Sequence, residues 1–117
     1  MEFYIKKDSV NPILLLDIVN DGRSESYKNL NSILDNSTIR FSMKRESDGI
    51  QKIFMNNSHI TDKIQKNPDA PKEYYIYYKW DEKDTNQKGR YVGEFSILTE
   101  EGELIVPIRE KLYINIV

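Results

Sequence analysis

The chain has 117 residues, one His, no Cys and a net charge of −2. That length makes one domain with a single hydrophobic core; the lack of Cys excludes a disulfide framework and a thiolate metal site. Opposite charges are interspersed, so the basic footprint of a strong nucleic-acid binder is missing. Charged residues make up 31% and hydrophobic residues 38%, which suits a small sandwich with much exposed surface, and the aromatic and β-branched content argues against disorder.

The opening residues, MEFYIKKDSV, mix charged with apolar side chains and contain no export signal. Glu2 to Lys7 is expected as a short strand or an extended arm. Asn11-Pro12 marks a turn. Ile13 to Val19 is an apolar run broken only by Asp17 and reads as a buried strand. Its uninterrupted part, Ile13 to Leu16, is far shorter than the roughly 20 residues that span a bilayer, so a soluble protein is expected. Asn20-Asp21-Gly22 is a turn signal. Arg23 to Asn36 reads as loop with one helical turn at most.

Thr38 to Lys44 alternates cleanly, with Ile39, Phe41 and Met43 on one face. Ser47-Asp48-Gly49 turns the chain, and Ile50 to Met55 returns as a hairpin partner. Asn56-Asn57 is expected to break that strand, and Ser58 to Gln65 to start a weaker one. The two prolines in Asn67 to Pro71 mark a loop.

Glu73 to Ile97 is the densest stretch, with seven of the thirteen aromatic residues. In the strand Glu73 to Trp80, Tyr74, Ile76, Tyr78 and Trp80 share one face, and Tyr75 and Tyr77 the other. A polar turn, DEKDTNQK, leads to the strand Gly89 to Leu98, where Tyr91, Gly93, Phe95 and Ile97 share a face. A short strand, Leu104 to Val106, is stopped by Pro107, and Leu112 to Val117 is last. Strands at this spacing without a long helical pattern predict an antiparallel sandwich or barrel.

No catalytic set can be assembled. The single His59 lies on a polar strand without a nucleophile and an orienting partner, and no catalytic or phosphate-binding motif occurs. Asp81, Glu82, Asp84 and Asn86 offer hard oxygen ligands for Ca²⁺, but Lys83 and Lys88 oppose a cation, and a solvated loop tip is the favoured reading. Tyr74, Tyr78 and Trp80 fit a core. Tyr75 and Tyr77 fit a protein interface, where an apolar ring with a polar tip is useful. A stacking platform for single-stranded nucleic acid on an OB-type barrel is the alternative, but it needs a basic groove, and the nearby cations are offset by acids. Tyr91 begins its strand after Gly89-Arg90, as does the corner tyrosine of immunoglobulin-like sandwiches, whose hydroxyl is tied to backbone upstream. Gly93, two residues on, stands where a disulfide-bonded immunoglobulin domain carries Cys.

Several segments occur in a familiar order. They are Lys7-Asp8 leading into Ile13 to Val19, Thr38-Ile39-Arg40-Phe41-Ser42-Met43-Lys44, Tyr78-Lys79-Trp80, Asp84-Thr85, Gly89-Arg90-Tyr91-Val92-Gly93-Glu94-Phe95, Glu101-Gly102, Pro107, and Tyr113-Ile114-Asn115-Ile116. In that order the chain resembles the N-terminal domain of siphophage upper-baseplate (BppU-type) proteins, an immunoglobulin-like β-sandwich. Two features depart from that pattern. Asn56 to Lys72 is longer and more polar than the family's link, and no segment for carrying receptor-binding proteins is expected after the last strand.

The expectation is therefore one all-β domain over residues 1–117, an immunoglobulin-like antiparallel sandwich of seven or eight strands, with residues 1–10 as an arm or edge strand. The expected core is Leu14, Leu16, Ile18, Ile39, Phe41, Met43, Ile76, Tyr78, Trp80, Tyr91, Phe95, Ile97, Leu112, Ile114 and Ile116. The candidate protein interface is Phe3, Tyr4, Tyr75, Tyr77 and Tyr113. The resemblance implies a non-enzymatic virion protein without cofactor or metal, assembled in the host cytoplasm. It would be an adaptor or ring subunit that binds portal, connector, tail or baseplate proteins in many symmetric copies, with neither membrane nor nucleic acid as partner. The alternatives are the OB-type nucleic-acid binder and a carbohydrate-binding sandwich in which Tyr75, Tyr77 and Trp80 stack on sugar rings.

Overall fold

Alternation decides which residues of this chain face inward. In a pleated strand successive side chains point to opposite sides, and Tyr74, Ile76 and Tyr78 are buried while Tyr75 and Tyr77 between them are only half-buried. The computed structural model describes residues 1–17, 34, 37–62, 74–100, 102–108 and 110–117. Within them lie eight strands: β1 (Glu2–Ile5), β2 (Leu14–Asp17), β3 (Thr38–Arg45), β4 (Gln51–Asp62), β5 (Tyr74–Tyr78), β6 (Gly89–Thr99), β7 (Gly102–Val106) and β8 (Leu112–Ile116). The predicted turn at 20–22, the segment 23–36 apart from the buried Leu34, and the loop 67–71 lie outside the described residues.

The strands form one ladder in the order β1-β8-β6-β3-β4-β5-β2, with β7 also paired to β6. The long strand β6 serves three partners and β4 two. Along one side of β6, Gly89 to Gly93 pair with β8 and Phe95 to Thr99 with β7. β4 pairs with β3 from Gln51 to Ser58, then with β5 from His59 to Asp62. Because β4 belongs to both layers, the ladder folds over on itself. With β2 and β5 paired in one layer and β3, β6 and β8 in the other, the arrangement is that of an all-β sandwich. One pairing departs from the antiparallel expectation: β1 runs parallel to β8, with Glu2 opposite Tyr113 and Ile5 opposite Ile116.

β4 also corrects the expected break at Asn56-Asn57, since the strand runs straight through both residues. The pairing with β3 shifts register around Met43, and Met55 takes a positive φ of 53°. Such a bulge bends a strand and re-aims its side chains. Asn56, just past it, pairs with Phe41 and, though exposed, donates its Nδ2 to the Tyr78 hydroxyl at 3.0 Å. The Ser42 hydroxyl accepts the Met55 N–H at 2.9 Å and satisfies a backbone group that the bulge leaves out of the ladder.

The layers meet on Phe41. Its ring stacks on Tyr78 of the opposite layer at 4.7 Å, tilts against Phe95 at 4.9 Å and meets Trp80 edge-on at 5.8 Å. Each such buried ring contributes on the order of 2 kcal/mol through burial alone, and paired rings somewhat more. Gly93 leaves room for this arrangement, because a Cβ there would lie 2.9 Å from the Phe41 ring. Every residue expected in the core is buried apart from Ile18, which lies outside the described residues, and Ile5, Ile53 and Val106 join them.

Candidate interaction surface on the outer face of the β4–β5–β2 layer

Strand register sets the outer face of the smaller layer. Tyr77 lies between Leu15 of β2 and His59 of β4, and Tyr75 between Asp17 and Thr61. The result is two cross-strand rows, Leu15-Tyr77-His59 and Asp17-Tyr75-Thr61. The His59 and Tyr77 rings are 5.5 Å apart and tilted by 40°. Leu15 is 46% exposed. This face offers an aromatic and aliphatic row beside a polar one, which suits a partner with an apolar patch and hydrogen-bonding groups at its margin.

The five interface candidates do not form one patch. Tyr75 and Tyr77 share the face just described. Tyr4 is exposed on the larger layer, opposite Asn115. Tyr113 is on that layer too, its ring covered by the Arg90 guanidinium 3.8 Å from the centroid. Arg90 also donates to both Glu2 carboxylate oxygens, at 3.2 and 3.0 Å, and lies 3.6 Å from Glu46. Phe3 turns inward, stacks on Trp80 at 5.8 Å and packs against the core. Trp80 is itself buried in the core, so it cannot share a stacking platform with Tyr75 and Tyr77. His59 and Leu15 were missed as neighbours of Tyr77 because only cross-strand register brings them there. Phe54, 72% exposed, was missed for the same reason: the phase of its strand shows that it points outward only once Ile53 is known to point inward.

The polar turn before β6 is exposed at Asp81, Glu82, Lys83 and Asn86 to Lys88, as expected of a solvated tip, but Asp84 and Thr85 within it are buried. Glu82 to Thr85 form one 3-10 turn, closed by a capping box between Asp81 and Asp84. Asp81 accepts the Lys83 N–H at 3.0 Å, and Asp84 accepts the Asp81 N–H at 2.9 Å. Asp84 is 7% exposed and also accepts the Tyr78 hydroxyl at 2.7 Å. Thr85 is fully buried and donates its Oγ1 to the Ser9 carbonyl at 2.8 Å. Burial, and then the bond to Asp84, hold the Tyr78 hydroxyl well above the ordinary tyrosine range. Burial also raises that of Tyr91. Asp81 and Asp84, two of the three carboxylates read as Ca²⁺ ligands, are thus engaged by the protein's own N–H and O–H groups, and among the described residues no cluster of three His, Asp or Glu is placed to hold a metal ion.

The corner tyrosine is in place. Tyr91 donates its hydroxyl to the Gln87 carbonyl at 3.0 Å, four residues upstream. Comparison of the chain with known families, characterised proteins and solved structures finds no match.

Proposed function

We propose that this domain is a non-enzymatic structural subunit of a tailed-phage virion. It is an adaptor or ring subunit of the tail, baseplate or connector that docks on other virion proteins in many symmetric copies. What carries the reading is that the spaced segments of the resemblance converge in space. Phe41 of the alternating strand packs on Tyr78 and Trp80 of the aromatic strand, and Gly93 of the Gly-Arg-Tyr segment makes room for Phe41. Asp84 and Thr85 of the acidic loop tie to Tyr78 and Ser9. Segments that depend on one another physically are a stronger family signature than the same segments met separately.

Docking uses the outer rows centred on Tyr75 and Tyr77 together with the strand edges, since an edge strand offers unpaired backbone groups to a partner. Assembly into rings follows from head-to-tail contacts that close. The test is mass spectrometry of purified particles made from the genome that encodes the chain. The protein is expected in the particle at a fixed multi-copy ratio to the tail proteins, and its absence from intact particles overturns the proposal.

A further inference from the structure

We infer that β1 is exchanged between copies of this chain, so that Glu2–Ile5 of one copy completes the β8 edge of another. The inference rests on the proposed assembly role only for its purpose; the structural grounds are separate.

Among the described residues β1 pairs with β8 alone, and in parallel. Its inward anchors are Ile5, buried, and Phe3, stacked on Trp80. Of its other side-chain ties, those from Glu2 to Arg90 and Asn115 are exposed, and the Asn115 Nδ2 bond to the Phe3 carbonyl at 3.2 Å is partly buried. Where the arm joins the body the chain changes character. The Asp8 N–H donates to the Thr85 carbonyl at 2.9 Å, and Thr85 Oγ1 donates to the Ser9 carbonyl at 2.8 Å. With Thr85 fully buried, the backbone is held to the body from Asp8 onward. The backbone of residues 1–7 is bonded to β8 and the residues beside it, with Phe3 on Trp80 and Ile5 in the core as side-chain anchors.

Asp8 stands at that junction with a φ of 65°, in the left-handed region that L-residues adopt at a cost. Turning Asp8 to an extended conformation swings the arm away from its own β8. Seven extended residues reach roughly 23 Å, enough to enter the same position on a neighbour. The occupant that fits this position is already known, because it is the chain's own β1. An exchanged arm remakes the contacts of β1 with β8 and gives up only those at the joint, among them the Asp8 N–H bond to the Thr85 carbonyl, and strand exchange of this kind is a low-cost route to assembly.

The chain has no Cys, so a Tyr4→Cys/Asn115→Cys variant, altered at facing positions of β1 and β8, reports whether the two strands belong to one chain. Oxidised over a wide range of concentration, it is expected to form interchain disulfides that grow with concentration. In the otherwise unmodified chain, sizing by light scattering provides a measurement that needs no disulfide. Asp8→Val, which disfavours positive φ, is expected to lower the concentration at half-assembly about tenfold, and Asp8→Gly to raise it. An Asp8→Val chain that stays monomeric at all concentrations, disulfides that form only within one chain, or assembly indifferent to residue 8 each overturns the exchange. None of these results bears on whether the protein is found in particles, so the virion proposal stands or falls separately.

Discussion

The Tyr78 hydroxyl donates to the buried Asp84 carboxylate at 2.7 Å, which ties the middle of the core to the turn that launches β6. A hydrogen bond to a charged group is worth about 1.5–3 kcal/mol, and a buried group left without its partner costs a similar amount. Tyr78→Phe is expected to lower stability by about 2 kcal/mol in urea unfolding. Asp84→Ala strands both the Tyr78 hydroxyl and the Asp81 N–H and should cost more, about 3 kcal/mol. In a double-mutant cycle the two changes should be clearly non-additive.

Burial of the tyrosine hydroxyls, and for Tyr78 then the same bond, sets a pH dependence. Tyr78 and Tyr91 both hold their protons above the ordinary tyrosine value in the folded state. A raised folded value means that the native state binds the proton more tightly than the unfolded chain. The stability is complete below about pH 10, where unfolded tyrosine also keeps its proton, and is lost as pH rises beyond it. Tyr78 should contribute a slope of up to about 1.4 kcal/mol per pH unit in that alkaline range, and Tyr78→Phe should flatten it. Ultraviolet titration of the eight tyrosines should show some ionising only as the protein unfolds.

Gly93 is required for space. An added methyl 2.9 Å from the Phe41 ring forces the central ring of the core to move. Gly93→Ala should cost about 1–3 kcal/mol, the usual penalty for overpacking. The check is internal: in a Phe41→Leu background, where the ring is gone, the same substitution should cost measurably less.

Trp80 lies past the end of β5, against Phe3, Phe41 and Tyr78. Trp80→Ala should cost about 3–5 kcal/mol in thermal or chemical unfolding. Trp80→Phe should cost less, because the buried indole N–H has no hydrogen-bond partner among the described residues. A Trp80→Ala protein that melts like the wild type would remove Trp80 from the core.

If the Tyr75 and Tyr77 rows are a docking face, their substitution should separate binding from folding. Tyr75→Ala/Tyr77→Ala should weaken capture of tail or connector proteins about tenfold or more, as loss of an aromatic anchor does. The melting temperature should move much less than in Trp80→Ala. Equal loss of both would mean that the two tyrosines only support the sheet.

The sequence made most of the sandwich legible because β5 and β8 bury every second residue and β3 and β6 depart from that rhythm only where Ser42 and Ser96 are also buried, and alternation survives any change of partner. It failed where a distant residue decides the outcome. Asn56 and Asn57 have the local preferences of a strand breaker, yet the strand runs through both and Asn56 donates to Tyr78, 22 positions away. Asp84 and Thr85 sit in a run of charged and polar residues, yet Thr85 is buried because Ser9, 76 positions away, accepts its hydroxyl. The corner at Tyr91 was readable because its partner, Gln87, is only four residues upstream. On the candidate face Tyr75 and Tyr77 were visible from alternation, whereas Leu15 and His59 beside Tyr77 follow from register alone.

The parallel pairing of β1 with β8 has a mechanical consequence. Met1 lies beside the start of β8, and Lys7 beside its end, joined by backbone bonds from Tyr113 to Met1, from Val117 to Ile5 and from Lys7 to Val117. Tension between residues 1 and 117 therefore slides the two strands past each other and loads these bonds together instead of peeling them one by one. A sandwich gripped in that direction resists force through the whole ladder at once, and an exchanged β1 carries the load from one subunit into the next.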